Sequence, residues 1–248
     1  MVRYSRRSYR QTLAAGDMGS FAAAVKETDL WISVEKSALV PELPGRVEQY
    51  IWQERRLLEK YIEGRDPVFA QTLSPHLLKE GAPPIALEMV RAGNLAGVGP
   101  MAAVAGAFAQ YVGKWLLGVT SQVIVENGGD IFLCCKRPVR VGIYAGESVF
   151  SRRLALKVEP RGESRGICTS SGTVGHSYSM GRADAAVIIA DDAALADAVA
   201  TAAANMVQDA GDLQKALDFA RSIPGVRGGL IIFGEKLAAG GEIQLEEC

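Results

Sequence analysis

The fold is decided where the sequence reads Glu126-Asn127-Gly128-Gly129-Asp130 between two apolar runs, residues 122–125 and 131–135. An Asn-Gly pair between two short apolar runs is typical of a β-hairpin with a tight turn. Acidic side chains are seldom buried without a partner, so the carboxylates that flank this turn also indicate a binding site. The stretch therefore predicts a hairpin whose turn lies at the edge of a polar pocket.

A second stretch, residues 166–184, is rich in glycine and hydroxyl side chains. Its candidate ligand contacts are Thr169, Ser170, Ser171, Gly172 and His176. A loop of this composition is suited to hydrogen-bond an anion through its hydroxyls and backbone amides. A serine nucleophile with His176 as its base is a weaker hypothesis, because the glycines do not form the Gly-x-Ser-x-Gly pattern of a nucleophile elbow. We expect the hydroxyls of the loop to hydrogen-bond either a ligand or the backbone. His176 is expected to contact a ligand rather than act as a base, with a structural role left open.

Asp197 and Thr201 are four residues apart on a predicted alanine-rich helix that Asp191 and Asp192 cap at its start. This spacing places both side chains on one helical face. Carboxylate and hydroxyl oxygens are hard donors that suit Mg²⁺ or Ca²⁺. Taken alone, however, the pattern favours an ordinary helix in which Thr201 bonds back to the carbonyl of Asp197.

A further predicted helix, residues 101–117, begins with small residues directly after Gly97-Val98-Gly99-Pro100. Close packing against a sheet explains this composition. A helix start preceded by glycines also exposes free N–H groups, which bind phosphates well. The two interpretations are compatible, and both are kept.

Composition excludes several classes of protein. The chain has 248 residues, 48% hydrophobic residues and a net charge of −1, which predicts one α/β domain or two intimately packed lobes. The weak net charge argues against nucleic acid as a partner. No apolar run approaches the length of about 20 residues that a membrane span needs, and no signal-peptide core is present, so we expect a cytoplasmic protein. The four cysteines predict reduced packing residues, and zinc has no support.

Apolar periodicity predicts the remaining elements. We expect a turn at residues 16–19 and a solvated loop histidine at His76. The predicted strands cover residues 4–13, 122–125, 131–134, 139–144, 154–158, 184–190 and 228–233. One or two further strands are expected within residues 21–34, of which 29–34 is the clearest, and residues 166–171 bring the chain back towards the core. The predicted helices cover residues 45–63, 85–92 and 101–117, the segment from the Asp191-Asp192 cap to about residue 207, and residues 213–220.

The order of these motifs resembles the ApbE superfamily, the FAD:protein FMN transferases. In that family a helix with a small-residue start precedes an Asn-x-Gly-Gly-Asp turn, and a Ser-Gly loop and an Ala-Asp-Ala-x-x-Thr-Ala helix follow. Residues 196–202 match the last motif closely. Residues 99–107 and 168–176 are more similar still to a sister group, uncharacterised protein family 280.

The resemblance implies an ApbE-like, T-fold-related α/β (α+β) fold of mixed sheets packed with helices. It also implies a flavin pocket with a divalent cation, Mg²⁺ or Ca²⁺, beside the pyrophosphate of FAD. Asp197 and Thr201 would hold the metal, and a backbone carbonyl at Ala102 or Ala103 would complete its ligands. The residues that would line the ligand are Glu126, Asn127, Gly128, Gly129, Asp130, Thr169, Ser170, Ser171, Gly172 and His176.

The sequence departs from the transferases at two places. The lysine of their helix start is replaced here by Ala105 or Gly106, and their His-Ile-Ile-Asp-Pro segment is replaced by residues 176–181. Loss of a lysine removes positive charge where negative charge develops. The leading hypothesis is binding of a flavin or nucleotide pyrophosphate with FMN transfer to an acceptor protein or hydrolysis of FAD. The alternative is a non-catalytic flavin or small-anion binding protein.

Overall fold

The structure, a computed structural model, describes residues 17–173 and 181–248. The predicted strand over residues 4–13 and His176 therefore lie outside the described residues. The strands, in chain order, are β1 (Met18–Val25), β2 (Thr28–Glu35), β3 (Val123–Asn127), β4 (Asp130–Cys134), β5 (Val139–Gly142), β6 (Leu154–Val158), β7 (Arg165–Ser170), β8 (Ala185–Ala190), β9 (Val226–Phe233), β10 (Lys236–Gly241) and β11 (Leu245–Glu247).

Eight of these strands form one sheet in the order β1-β2-β3-β4-β7-β8-β9-β10, and the other three form a small sheet in the order β11-β6-β5. Every strand pairing within the described residues is antiparallel. Most neighbours in the large sheet follow each other along the chain. Strands β5 and β6 leave the large sheet between β4 and β7 and build the second sheet.

The helices are α1 (Leu43–Gly64), α2 (Pro84–Ala96), α3 (Val104–Leu116), α4 (Ala193–Met206) and α5 (Leu213–Ser222), with a 3₁₀ turn at Pro100–Ala103 directly before α3. Asp192 caps α4, because its side chain accepts a hydrogen bond from the N–H of Leu195. In the part of the chain that the structure describes, no single helix has the length and apolar composition of a membrane span, whereas the bent pair Pro84–Ala96 and Pro100–Leu116 has both.

The large sheet separates two hydrophobic clusters. Val125, Phe132 and Cys168 face the helices, whereas their strand neighbours Ile124 and Ile131 face the small sheet. This alternation follows from the two-residue repeat of a strand. The predicted fold of sheets packed with helices is confirmed, and the faces of the sheet decide which polar side chains can meet.

Local differences from the sequence predictions are few. Strand β1 begins at Met18, so the turn predicted at residues 16–19 is wrong for its second half. The sequence pattern does not predict strands β10 and β11. Their sequences, KLAAGG and LEE, carry little apolar alternation, and their pairing partners rather than their own pattern make them strands.

His76 is not a solvated loop histidine, so that prediction is wrong. Its side chain is 11% exposed, and its Nε2 lies 2.8 Å from Oδ2 of the buried Asp66. Tyr61 donates a second hydrogen bond to the same oxygen at 3.0 Å. A buried carboxylate needs such partners, and the loop supplies one of them through His76.

Candidate functional site

The hairpin predicted at residues 126–130 is confirmed, but its turn is not the predicted Asn-Gly pair, because Asn127 is the last residue of β3. Asn127 pairs with Asp130, and the two-residue turn between β3 and β4 is Gly128-Gly129. Both glycines have positive φ, 71° and 113°, as a type I′ turn requires, and only glycine adopts both angles without strain. The N–H of Gly129 donates to Oε1 of Glu126 at 2.8 Å, so the Glu126 side chain stabilises the turn.

The sheet divides the acidic stretch between its two faces. Asn127 and Asp130 lie on the helix side, because they are two residues from Val125 and Phe132 respectively. Nδ2 of Asn127 donates to the carbonyl of Ala105, just inside α3, at 3.0 Å. Glu126 lies on the opposite side of the sheet and is fully buried. The five residues therefore do not line one pocket together.

The start of α3 is bound to a carboxylate of this chain. The N–H of Gly106 donates to Oδ2 of Asp197 at 2.8 Å. A side chain at Gly106 would collide with the carbonyl oxygen of Ala193 on α4. Since Asp197 occupies the Gly106 amide, the hypothesis that this helix start offers free N–H groups to a phosphate does not hold for Gly106. Its small residues serve the close packing of α3 on α4.

Asp197 meets a second acidic side chain at this point. It is 8% exposed, and burial followed by the charge of Asp130 holds its pKa well above the usual range, although N–H groups of Gly106 and Ala105 oppose that shift. Burial and the charges of Asp130 and Asp197 also raise the pKa of the Cys168 thiol well above its ordinary value. The thiol is fully buried and lies 3.3 Å from the carbonyl of Ala193. Strands β4 and β7 and helix α4 thus bring two carboxylates and a thiol into one small, buried volume.

Thr201 lies one helical turn beyond Asp197 on α4 and is half-buried, so the acidic volume approaches solvent in this direction. Ala102 is also half-buried, in the 3₁₀ turn before α3, and Ala103 is buried. Ser170 lies two residues from Cys168 on β7 and is therefore on the same, helix-facing side. Thr169, between Cys168 and Ser170 on β7, lies on the opposite side of the sheet.

Ser171 and Gly172 follow β7 towards the end of α4. The hydroxyl of Ser171 donates to the carbonyl of Ala183 at 3.3 Å. Gly172 packs on the backbone of Gly181, and Gly181 packs in turn on the carbonyl of Ala204, so closely that a Cβ on either glycine would collide. The absence of a side chain at Gly172 is therefore required by packing, whatever its relation to a ligand.

The donor set fits a hard cation better than a soft one. Among the described residues, no group of three or more His, Cys, Asp or Glu side chains is arranged to hold a metal. A cation would have to combine the carboxylate of Asp197 with the hydroxyl of Thr201 and backbone carbonyls, which is the all-oxygen chemistry of Mg²⁺ or Ca²⁺. Two adjacent carboxylates in a buried volume also favour a positive charge between them. The residues present therefore fit the divalent cation that the resemblance implies.

Sequence reasoning does not find Gln110. It is a fully buried polar residue on α3 whose Oε1 accepts a hydrogen bond from the N–H of Ala193, the first residue of α4, at 2.8 Å. A single glutamine within the apolar segment Val104–Leu116 is the available signal. Its partner is 83 residues away, so the sequence contains no indication of the contact.

The fold is that of the ApbE flavin transferases. The structure matches the apo form of flavinyl transferase ApbE from Pseudomonas stutzeri with a TM-score of 0.62 at 14% identity, covering 90% of this chain and 94% of the other. It matches flavin transferase ApbE from Vibrio cholerae with a TM-score of 0.59 at 14% identity, covering 90% and 96%. At this identity the likeness shows the fold alone.

Similarity in sequence assigns the chain to a family. The chain belongs to the family described as "AbpE bacteria", whose model matches residues 10–228. It is 42% identical over 221 residues to a UPF0280 protein of Methanosarcina barkeri, covering 88% of this chain and 85% of that protein. It is 45% identical over 194 residues to a UPF0280 protein of Methanocella arvoryzae, covering 78% of each. The resemblance to the ApbE superfamily and to uncharacterised protein family 280 is confirmed.

Proposed function

We propose that the chain binds FAD through its pyrophosphate together with Mg²⁺, and that Asp197 and Thr201 are the side-chain ligands of the cation. The observation that carries this proposal is the buried approach of Asp197 to Asp130, two acids whose mutual repulsion a divalent cation would relieve. Ca²⁺ is the second candidate ion, since it accepts the same oxygen donors. The flavin is suggested by the transferases that share the fold.

In this proposal each residue of the candidate site has its own role. The Gly106 amide orients the carboxylate of Asp197, and Asn127 fixes the Ala105 carbonyl beside it. A carbonyl of Ala102 or Ala103 completes the cation ligands, and the hydroxyl of Ser170 donates to a phosphate oxygen. The hydroxyl of Ser171 does the same once it exchanges its bond to the Ala183 carbonyl for one to phosphate. Glu126 acts indirectly, because it supports the turn at Gly129 from the other face of the sheet. When bound, the cation supplies Lewis-acid polarisation of a phosphoryl oxygen.

Two reactions at the pyrophosphate follow from this arrangement. Attack on the FMN phosphorus by a threonine hydroxyl of an acceptor protein would transfer FMN and release AMP. Attack by water would hydrolyse FAD to FMN and AMP. Both need the negative charge of the leaving phosphate to be stabilised, and both use the same pocket.

Non-catalytic binding of a flavin or small anion is the second candidate function. The observation that favours it is the packing at Gly106, where α4 leaves no room for any side chain, and the neighbouring residue is Ala105. The transferase-like lysine therefore has no counterpart at this helix start. A pocket without that charge would retain binding while losing rate.

Calorimetric titration of FAD into flavin-stripped protein, first with Mg²⁺ and then with EDTA, tests the proposal. Tight binding that requires Mg²⁺ is the expected result. Chromatography of the mixture then separates the two candidates, since release of AMP indicates catalysis and intact FAD indicates binding alone. Equal affinity with Mg²⁺ and with EDTA would remove the cation from the proposal, and no binding in either condition would overturn it.

A further inference from the structure

Two matched contacts join α3 to α4 beside the acidic volume. The N–H of Gly106 donates to Asp197, and one turn further along α3, Gln110 accepts from the N–H of Ala193, one turn earlier on α4. Each pair of residues is spaced by four on its own helix, so the two contacts lie on one face of each helix. The second contact fixes the first turn of α4, directly before Asp197.

Gln110 makes this contact at a cost. Its side chain is fully buried, and its Nε2 group has no hydrogen-bond partner among the described residues. Leaving a buried donor unpaired costs at least as much free energy as a single hydrogen bond contributes. An apolar residue of the same shape would leave the Ala193 N–H unpaired in place of Nε2, so glutamine adds little net stability at this position.

The other contacts of Ala193 restrict its position without replacing Gln110. The Cys168 thiol lies against its carbonyl, and a Cβ at Gly106 or Gly166 would collide with its backbone. These contacts prevent α4 from moving towards the sheet or towards α3. Among the described residues, the N–H of Ala193 is bonded by Gln110, whereas the Asp192 cap bonds the N–H of Leu195. Gln110 is thus the polar group that holds the first amide of α4.

We infer that Gln110 is a positioning residue, which holds the first turn of α4 so that the Asp197 carboxylate stays on the Gly106 amide and faces Asp130. The inference rests on the proposed function in so far as Asp197 is taken to hold the cation. Its structural part, the alignment of Asp197 on Gly106, does not depend on any ligand.

The test compares Gln110→Met with Gln110→Glu, which keeps an acceptor oxygen, and with Tyr111→Phe as a control on the same helix. We expect Gln110→Met to lower the melting temperature only slightly, because it exchanges one unpaired buried donor, Nε2 of Gln110, for another, the N–H of Ala193. The Gly106 amide signal in NMR spectra should shift, and the Mg²⁺-dependent affinity for FAD should fall about 10-fold, as for other groups that orient metal ligands. Gln110→Glu and Tyr111→Phe should keep the Gly106 signal of the wild type.

The two readouts separate this inference from the proposed function. If the wild type fails to bind FAD with Mg²⁺, the proposed function is overturned, while the Gly106 signal in Gln110→Met still reports whether Gln110 aligns Asp197. A Gly106 signal that is unchanged in Gln110→Met overturns the inference whatever the wild type binds. An unchanged affinity together with a shifted signal overturns its functional part.

Discussion

Two buried aspartates, Asp66 and Asp197, have opposite surroundings. Burial tends to raise the pKa of Asp66, but hydrogen bonds from His76 and Tyr61 and the charges of His76 and Lys79 outweigh it, and its pKa is lowered. Asp197 has the acid Asp130 as its neighbour, forms no ion pair with a described residue, and has a raised pKa. The difference teaches that a buried acid with its partners inside the chain is structural, whereas an acid beside another acid indicates a ligand from outside.

The largest expected effect is a loss of stability on substitution of Asp66, the structural aspartate of the two. Asp66→Asn should lower the free energy of unfolding by about 3 kcal/mol, because the Tyr61 and His76 groups lose a charged acceptor in a buried place. Urea denaturation at neutral pH measures this, with the exposed Asp218→Asn as control. A loss below about 0.5 kcal/mol, the usual range for surface changes, would show that the Asp66 cluster is not a stabilising one.

The second effect is on binding. Asp197→Ala should weaken the Mg²⁺-dependent affinity for FAD by about 100-fold, the upper part of the range seen even for groups that only support a metal ligand. Stability without Mg²⁺ should change little, because the Gly106 N–H loses its acceptor while a buried acid next to Asp130 is removed. Calorimetry of the variant, with Asp218→Ala as the matched control, measures the affinity. Wild-type affinity in the Ala variant would remove Asp197 from the cation site.

A smaller loss of affinity is expected for substitution of Thr201, the uncharged ligand of the proposed cation site. Thr201→Val should reduce the same affinity by about 10-fold, because the valine keeps the shape of the side chain but lacks the oxygen. Thr201→Ser retains the hydroxyl and should bind like the wild type. If the valine and serine variants have the same Mg²⁺-dependent affinity for FAD, Thr201 is not a ligand of the cation.

The smallest effect, taken per pH unit, is the pH dependence of stability that distinguishes the two acids. Because the folded-state pKa of Asp197 lies above its usual value of 3.8, the wild type loses stability as the pH rises from about 4. Asp197→Asn removes this loss, so its stability relative to the wild type should increase as the pH rises from 4, by about 1 kcal/mol per pH unit while the folded carboxyl stays protonated. Asp66 has a lowered pKa, so the wild type loses the stabilisation from Asp66 as the pH falls below about 4, and Asp66→Asn should show the opposite trend in that lower range. Urea titrations at several pH values compare them, and parallel curves would contradict the assignment.

Sequence periodicity suffices for most of the fold, for physical reasons visible at the hairpin. Strands β3 and β4 are short, apolar and joined by Gly128-Gly129, so local preference and packing agree there. Strand β10, with the sequence KLAAGG, lacks such a pattern and is ordered by β9. The prediction for His76 fails because its partner Asp66 lies across a loop, and no local signal shows that a carboxylate ten residues away is buried.

Only part of the candidate site is predictable from the sequence. The spacing of Asp197 and Thr201 marks them as candidates, but grouping Glu126 with Asp130 ignores the two faces of the sheet, on which these two acids lie apart. The alternation of a strand contains this information, since adjacent residues point in opposite directions. Gln110 and the meeting of Asp130 with Asp197 depend on contacts over many residues, which a single sequence does not reveal.

The crowding around Ala193 limits how the site is able to change in evolution. Four residues from two other elements, Gly106, Gln110, Gly166 and Cys168, touch or abut this one alanine, so a larger residue at any of the glycines would displace the helix that carries Asp197. Single substitutions in this inner part would mostly be lost with the fold. Half-buried positions such as Thr201 and Ala102 carry no such restriction, and new ligand preferences would arise there first.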